Sequence, residues 1–324
     1  MKGKVSAVVV CFILVFGIFS TAKADTILFP VIAVNQPNVT TIVSVLNRHS
    51  WGTSTHLHYI YRYKQSLVDG EPNISGDCIS YEFTRPTWEG DLVSFDASGS
   101  LNGGNALFGD TNNYGEGFAM PGSGPRRAYL LVTNSDAAGN RVDVTDKVKL
   151  MGEAIIMDIA YGAAWGYRAI NDLEREDYSF RNVSDPGGGV YSALPSHGYV
   201  DRRFTFFPPS EWTTRFFVTP IGWNMHSQNL TATVALEVGV IYDRNGNRYT
   251  FTPIDKTVRC TAAIDLKDLV DATVWSAIEN IGGWSWFGVT SGDAIVYKLE
   301  YVLENPTYGG TNNNGYLLST YARP

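Results

Sequence analysis

Short runs rich in Val, Ile, Thr and aromatic residues, cut at close intervals by Gly, Pro and Asn, recur along almost the whole chain. That rhythm restricts the fold more than any other feature. The clearest run is His56-Leu57-His58-Tyr59-Ile60-Tyr61-Arg62-Tyr63, whose near-alternation puts Leu57, Tyr59, Tyr61 and Tyr63 on one face of a half-buried strand. Two earlier runs, 26–34 and 39–47, flank the turn residues Gln36-Pro37-Asn38. Runs at 78–83, 92–95, 128–134 and 153–159 continue the pattern, and it resumes at 204–207, 213–219, 230–242, 248–252, 258–265, 294–303 and 316–321. Asn245-Gly246, inside Asp243-Arg244-Asn245-Gly246-Asn247, marks a hairpin because both residues tolerate positive φ. The expected fold is all-β: an antiparallel β-sandwich, one large or two tandem modules, with one or two short helices. Helices are expected over 160–177, where Ala163, Tyr167, Ile170 and Leu173 recur at helical spacing, and over 265–270 with Asp265 as the N-cap.

The start of the chain reads as a targeting segment. Lys2 and Lys4 precede an apolar run over 8–19, and Ala22-Lys23-Ala24 supplies a small-x-small cleavage pattern, so residues 1–24 form a signal peptide and Asp25 begins the mature protein. The run is well short of the roughly 20 apolar residues of a membrane-spanning helix, so no transmembrane segment is expected after cleavage. The expected location is therefore periplasm, cell surface or medium. The formal net charge of −7, more acidic still without Lys2, Lys4 and Lys23, argues against nucleic acid as a partner. The only basic pairs, Arg126-Arg127 and Arg202-Arg203, read as solvated strand ends.

Composition divides the mature chain in two. An N-terminal module, 25–183, carries a Gly/Asn-rich loop at 98–125 that is either functional or mobile. Ser184-Asp185-Pro186-Gly187-Gly188-Gly189 opens a linker or loop at 184–199, and a C-terminal module follows at 200–324. A faint internal echo joins the halves: Phe29-Pro30-Val31-Ile32 followed by Thr40-Thr41-Ile42-Val43-Ser44-Val45 parallels Val218-Thr219-Pro220-Ile221 followed by Thr231-Ala232-Thr233-Val234-Ala235-Leu236. A strand ending near Pro, a Thr-rich strand and the turn Tyr242-Asp243-Arg244-Asn245-Gly246 together resemble a group of uncharacterised exported bacterial β-sandwich proteins. The resemblance covers about a third of the mature chain and implies the fold and export. It brings no catalytic residues with it.

Candidate chemistry is sparse. In an oxidising compartment Cys78 and Cys260 are the candidate disulfide, alternatively two separately buried thiols, and no C-x-x-C occurs. His56 and His58, two apart on a strand, could share a metal ion. Asp110 with Asn112 or Asn113 is the candidate Ca²⁺ position, and no other cofactor is expected. Asp243, Asn245 and Asn247 match the first oxygen positions of a Ca²⁺ loop, but Arg248 and Ile254 stand where its Gly and Glu belong. No G-x-S-x-G, S-x-x-K or H-E-x-x-H is present, which weakens an enzymatic reading without closing it. Trp284 and Trp286, two apart in an extended segment, would share one face and form a coplanar glycan-stacking pair, or else lie in the core. The function expected is an exported non-enzymatic binding or structural protein of the cell envelope or extracellular matrix, with a cell-surface or extracellular protein or a glycan as partner. The alternatives are a carbohydrate-binding or carbohydrate-active protein using the tryptophans, and an outer-membrane β-barrel.

Overall fold

A computed structural model describes residues 26–48, 56–64, 78–108, 117–122, 124–142, 150–160, 163–171, 178–180, 190–192, 203–226, 229–302 and 316–320. The signal segment and Asp110 lie outside these. The first half contributes β1 (Thr26–Val34), β2 (Val39–Asn47), β3 (His56–Tyr63), β4 (Ile79–Pro86), β5 (Leu92–Asp96), β6 (Ala106–Phe108), β7 (Arg126–Ser135), β8 (Leu150–Asp158), β9 (Ala163–Arg168) and β10 (Ile170–Asn171). The second contributes β11 (Val190–Ser192), β12 (Arg203–Phe206), β13 (Thr213–Ile221), β14 (Thr231–Asp243), β15 (Arg248–Thr250), β16 (Lys256–Arg259), β17 (Ala262–Asp265), α1 (Ala272–Ile278), β18 (Gly283–Ser291), β19 (Asp293–Tyr301) and β20 (Tyr316–Thr320).

These strands pair antiparallel in four sheets. The orders are β6-β5-β2-β8-β9 and β10-β1-β7-β3-β4 in the first half. In the second they are β11-β19-β13-β17, with β20 beside β19, and β12-β18-β14-β15, with β16 beside β14. Each runs as an open path, and no sheet closes on itself among the described residues. The protein is therefore all-β with sandwich-like packing, as its strand rhythm requires.

Side-chain alternation decides which sheets lie inside. Along β12, Phe204 and Phe206 are buried while Arg203 and Thr205 are exposed, the signature of an outer strand. Every residue of β19 is buried: Ala294 and Val296 face one core, and Ile295, Tyr297, Leu299 and Tyr301 face another. The core on the first side joins Phe204, Phe216, Leu236, Ile264, Phe287 and Ile278 within the second half. The other mixes the halves, packing Phe217, Ile221, Met225, Tyr297 and Leu299 with Ile27, Phe29, Tyr59, Leu131 and Ile156. Buried hydrogen bonds cross the same boundary, with Thr219 and Thr261 hydroxyls donating to the Pro30 carbonyl at 2.6 and 2.8 Å and Tyr129 donating to the Met225 carbonyl at 2.7 Å.

The sequence echo lands on comparable places. Strands β1 and β13 belong to sheets that line the mixed core, and the Thr-rich β2 and β14 belong to the other sheet of each half, of which the β2 sheet also reaches that core through Val43 and Ile156. The run at 258–265 is broken at Cys260, whose φ of 52° turns the chain from β16, beside β14, to β17, beside β13. One residue in the left-handed region thus moves the chain from an outer sheet to an inner one.

The expectations for the two helices and for Arg126 need correction. The helix over 160–177 is instead β9 and β10 across 163–168 and 170–171, the remainder lying outside the described residues. Tertiary partners override the helical spacing: Ala163 to Arg168 pair along β8, Trp165 stacks on Phe217 at 6.4 Å, and the Tyr167 hydroxyl donates to the Val31 carbonyl. At 265–270 there is a single 3₁₀ turn, Leu266–Leu269, which the Asp265 side chain does not cap. That carboxylate takes Arg215 instead, at 2.6 Å to Nε and 2.9 Å to Nη2. The Gly/Asn loop, where described, is packed: Phe118 and Met120 are buried, Phe118 N–H donates to Gly104 O at 2.7 Å, and Phe118 stacks on Phe95 at 4.7 Å. Arg126 is buried, not solvated, and its guanidinium donates to the carbonyls of Gly124 and Met120. Of the expected linker, residues 190–192 form β11, paired with β19.

Candidate functional site

Strand β18 crosses the middle of the last outer sheet between β12 and β14. Ser285 and Phe287 turn inward and are buried, so Trp284 and Trp286 occupy the opposite face and are half-buried there. Tyr242, directly opposite Trp284 on β14, stacks on it with centroids 4.3 Å apart and planes within 6°. Trp286 meets Trp284 edge-on, at 4.7 Å and 69°. The indoles do share a face, but they are not coplanar: they form a corner, with a phenol as the third ring. A glycine makes the close approach possible, because a Cβ at Gly283 would come 1.9 Å from the Tyr242 carbonyl oxygen.

The surroundings of this cluster are polar. On β12, Thr205 stands opposite Trp284 and Arg203 opposite Trp286, both exposed. On β15, exposed Arg248 stands opposite Tyr242. The adjoining turn is built by Asp243, whose Oδ1 accepts the N–H groups of Asn245 and Asn247 at 2.8 and 2.9 Å, while Oδ2 accepts Asn247 Nδ2 and the Tyr249 hydroxyl. The Asn247 side chain leads the hydrogen bonds that hold this carboxyl below the usual carboxylate range. The hairpin is therefore capped by its own aspartate, the use the Asn-Gly turn predicted rather than a cation loop.

A second group of polar and aromatic side chains lies between the halves. His58 Nε2 is 3.4 Å from Glu82 Oε2, and His226 Nε2 is 3.2 Å from both Glu82 oxygens. The rings of Tyr178 and His226 are 4.9 Å apart. Burial lowers the pKa of His58 despite the opposing charge of Glu82. Burial works against ionised Glu82 as well, but hydrogen bonds from Ser80 and His226 outweigh it and hold the carboxyl low. His56, the other member of the expected metal pair, stands opposite Pro86 and Ser135 on the same strand. Among the described residues no group of three or more His, Cys, Asp or Glu is arranged to hold a metal ion. Glu82, His226, Tyr242 and Arg248 are the participants that sequence reasoning missed. Tyr242 alone had a local signal, as the last residue before the hairpin turn.

Two further features shape the molecule. Cys78 and Cys260 come together with Cα atoms 5.7 Å apart, within disulfide span, across 182 residues of sequence. Beneath the aromatic cluster, Lys298 Nζ donates to Glu300 Oε1 at 3.0 Å and to the Thr205 carbonyl at 2.6 Å, and Thr214 Oγ1 donates to Glu300 at 2.9 Å. Burial raises the Glu300 pKa, while Lys298 and Thr214 oppose that rise. Among the described residues no helix is long and apolar enough to cross a membrane. Compared with protein-family models, with curated proteins and with solved structures, the chain matches none.

Proposed function

We propose that this chain is an exported, non-enzymatic protein of the cell envelope or extracellular space that binds its partner on the outer face of β12-β18-β14-β15. The observation that carries the reading is the Tyr242–Trp284–Trp286 cluster: three aromatic rings left half-buried on a sheet face, bordered by Thr205, Arg203 and Arg248. Aromatic side chains pointing inward on such a strand would serve packing, whereas rings on the solvent side bring area and specificity to an interface at low entropic cost. The His58–Glu82–His226 group joins the first half to the second.

A glycan is the partner this face favours, since sugar rings carry apolar faces that pack on aromatic rings and hydroxyls that suit Thr and Arg at the border. Two measurements test the proposal. The mature chain should begin at Asp25 and be recovered from periplasm, envelope or medium; recovery of the intact precursor in the cytoplasm overturns the export assignment. Iodide should quench more fluorescence in the wild type than in a Trp284→Phe/Trp286→Phe variant. Equal quenching would remove the binding face.

A further inference from the structure

The aromatic face has a charge that the rest of the chain does not. Thr205, Trp284, Tyr242 and Arg248 are successive cross-strand neighbours on β12, β18, β14 and β15, forming a row about 14 Å long at the usual strand spacing. Arg203 lies in the next row opposite Trp286, and exposed Arg244 sits in the turn beside Arg248. Arginines thus flank the rings on two sides, Arg248 at the β15 end of this row and Arg203 on β12 one row away. The one acid of that turn, Asp243, has both carboxylate oxygens occupied by Asn245, Asn247 and Tyr249. Glu237 lies farther along β14, beside Gly288 and beyond the bulge where Val238 and Gly239 take φ values of 53° and 59°. With Arg203, Arg244 and Arg248 against the single carboxylate of Asp243, this end of the face is cationic on a chain whose net charge is −7.

Cations at such a surface do little for stability, but they set partner choice and encounter rate. Guanidinium groups also match carboxylates in a planar, two-point geometry that a neutral sugar cannot use. Resting on the glycan reading above, we infer that the face recognises an acidic polysaccharide: Trp284, Trp286 and Tyr242 hold the rings, and Arg203 and Arg248 pair with uronate carboxylates to either side. Aromatic rings beside arginines also suit single-stranded nucleic acid. Sites for nucleic acid, however, neutralise many successive phosphates, and three arginines on an acidic chain supply few cations for that.

The test uses the mature chain with polygalacturonate, alginate and hyaluronate, the fully methyl-esterified galacturonate polymer, a neutral β-glucan and oligothymidylate, followed by tryptophan fluorescence and titration calorimetry. The expected result is binding to at least one acidic polysaccharide that weakens as salt rises. Arg203→Gln/Arg248→Gln should lower that affinity by about tenfold or more without altering the circular dichroism spectrum. Equal affinity for the esterified and free polymers overturns the acidic-ligand inference and leaves glycan binding standing. Binding to no polysaccharide overturns both, and tighter binding of oligothymidylate replaces both with a nucleic-acid partner.

Discussion

At the scale of single residues, position along a strand was legible and partnership was not. His58 belongs to a readable alternating run, but the groups that meet it, Glu82 and His226, are 144 residues apart in sequence. Its effect on stability has a definite sign. A buried histidine with a lowered pKa binds its proton less readily folded than unfolded, so its contribution is present above pH 6.5 and is lost as pH falls through the folded value. Glu82, also lowered, adds a loss of the same sign below pH 4.5. Urea midpoints measured from pH 7 to pH 5 should therefore fall for the wild type and stay flatter for His58→Gln. The buried Lys298–Glu300 pair predicts a different outcome. Lys298→Met alone strands a buried carboxylate and should cost about 3–5 kcal/mol, whereas Lys298→Met/Glu300→Leu should recover most of it in the same urea titration. If the double variant were no better than the single one, the cost would lie in packing rather than in charge.

At the scale of elements, long alternating runs were read correctly and short amphipathic ones were not. The strand β9 looks helical because Ala163, Tyr167 and Ile170 fit a 3.6-residue period, yet Trp165 and Tyr167 also fit a period of two. Only the availability of an edge on β8 decides between them. The true helix was missed because it is one short element after the 3₁₀ turn, and its cap is Asp271 rather than Asp265. Asp271 Oδ1 accepts the N–H groups of Thr273 and Val274 at 2.8 and 3.0 Å. Asp271→Ala should thus lower stability by about 1 kcal/mol, and Asp271→Ser much less, as read from thermal or urea unfolding. The aromatic face followed the same rule: alternation placed both tryptophans on one side of β18, while the angle between them and the presence of Tyr242 depended on the register with β14.

At the scale of the whole molecule, composition pointed to the all-β class and the Pro-Gly break suggested a boundary, but neither revealed the core in which the halves mix. Thr219 and Thr261 reaching the Pro30 carbonyl, and Tyr129 reaching Met225, are contacts no local pattern encodes. Bridging Cys78 to Cys260 closes a loop of 182 residues, for which the chain-entropy model gives about 5 kcal/mol of stabilisation, less any native strain. Mild reduction, or a Cys78→Ser/Cys260→Ser variant, should lower the unfolding free energy by several kcal/mol. A non-reduced peptide map should join the fragments containing these two residues, and finding both as free thiols would refute the link.

That linkage also sets a timetable. If the chain is exported as proposed and threads through a translocation pore from its N-terminus, Cys78 emerges long before Cys260 and has no native mate on the far side in the interval. On that reading the oxidant would have to act late, when most of the polypeptide has crossed, and a chaperone that shields an early thiol would raise the yield of correctly joined molecules.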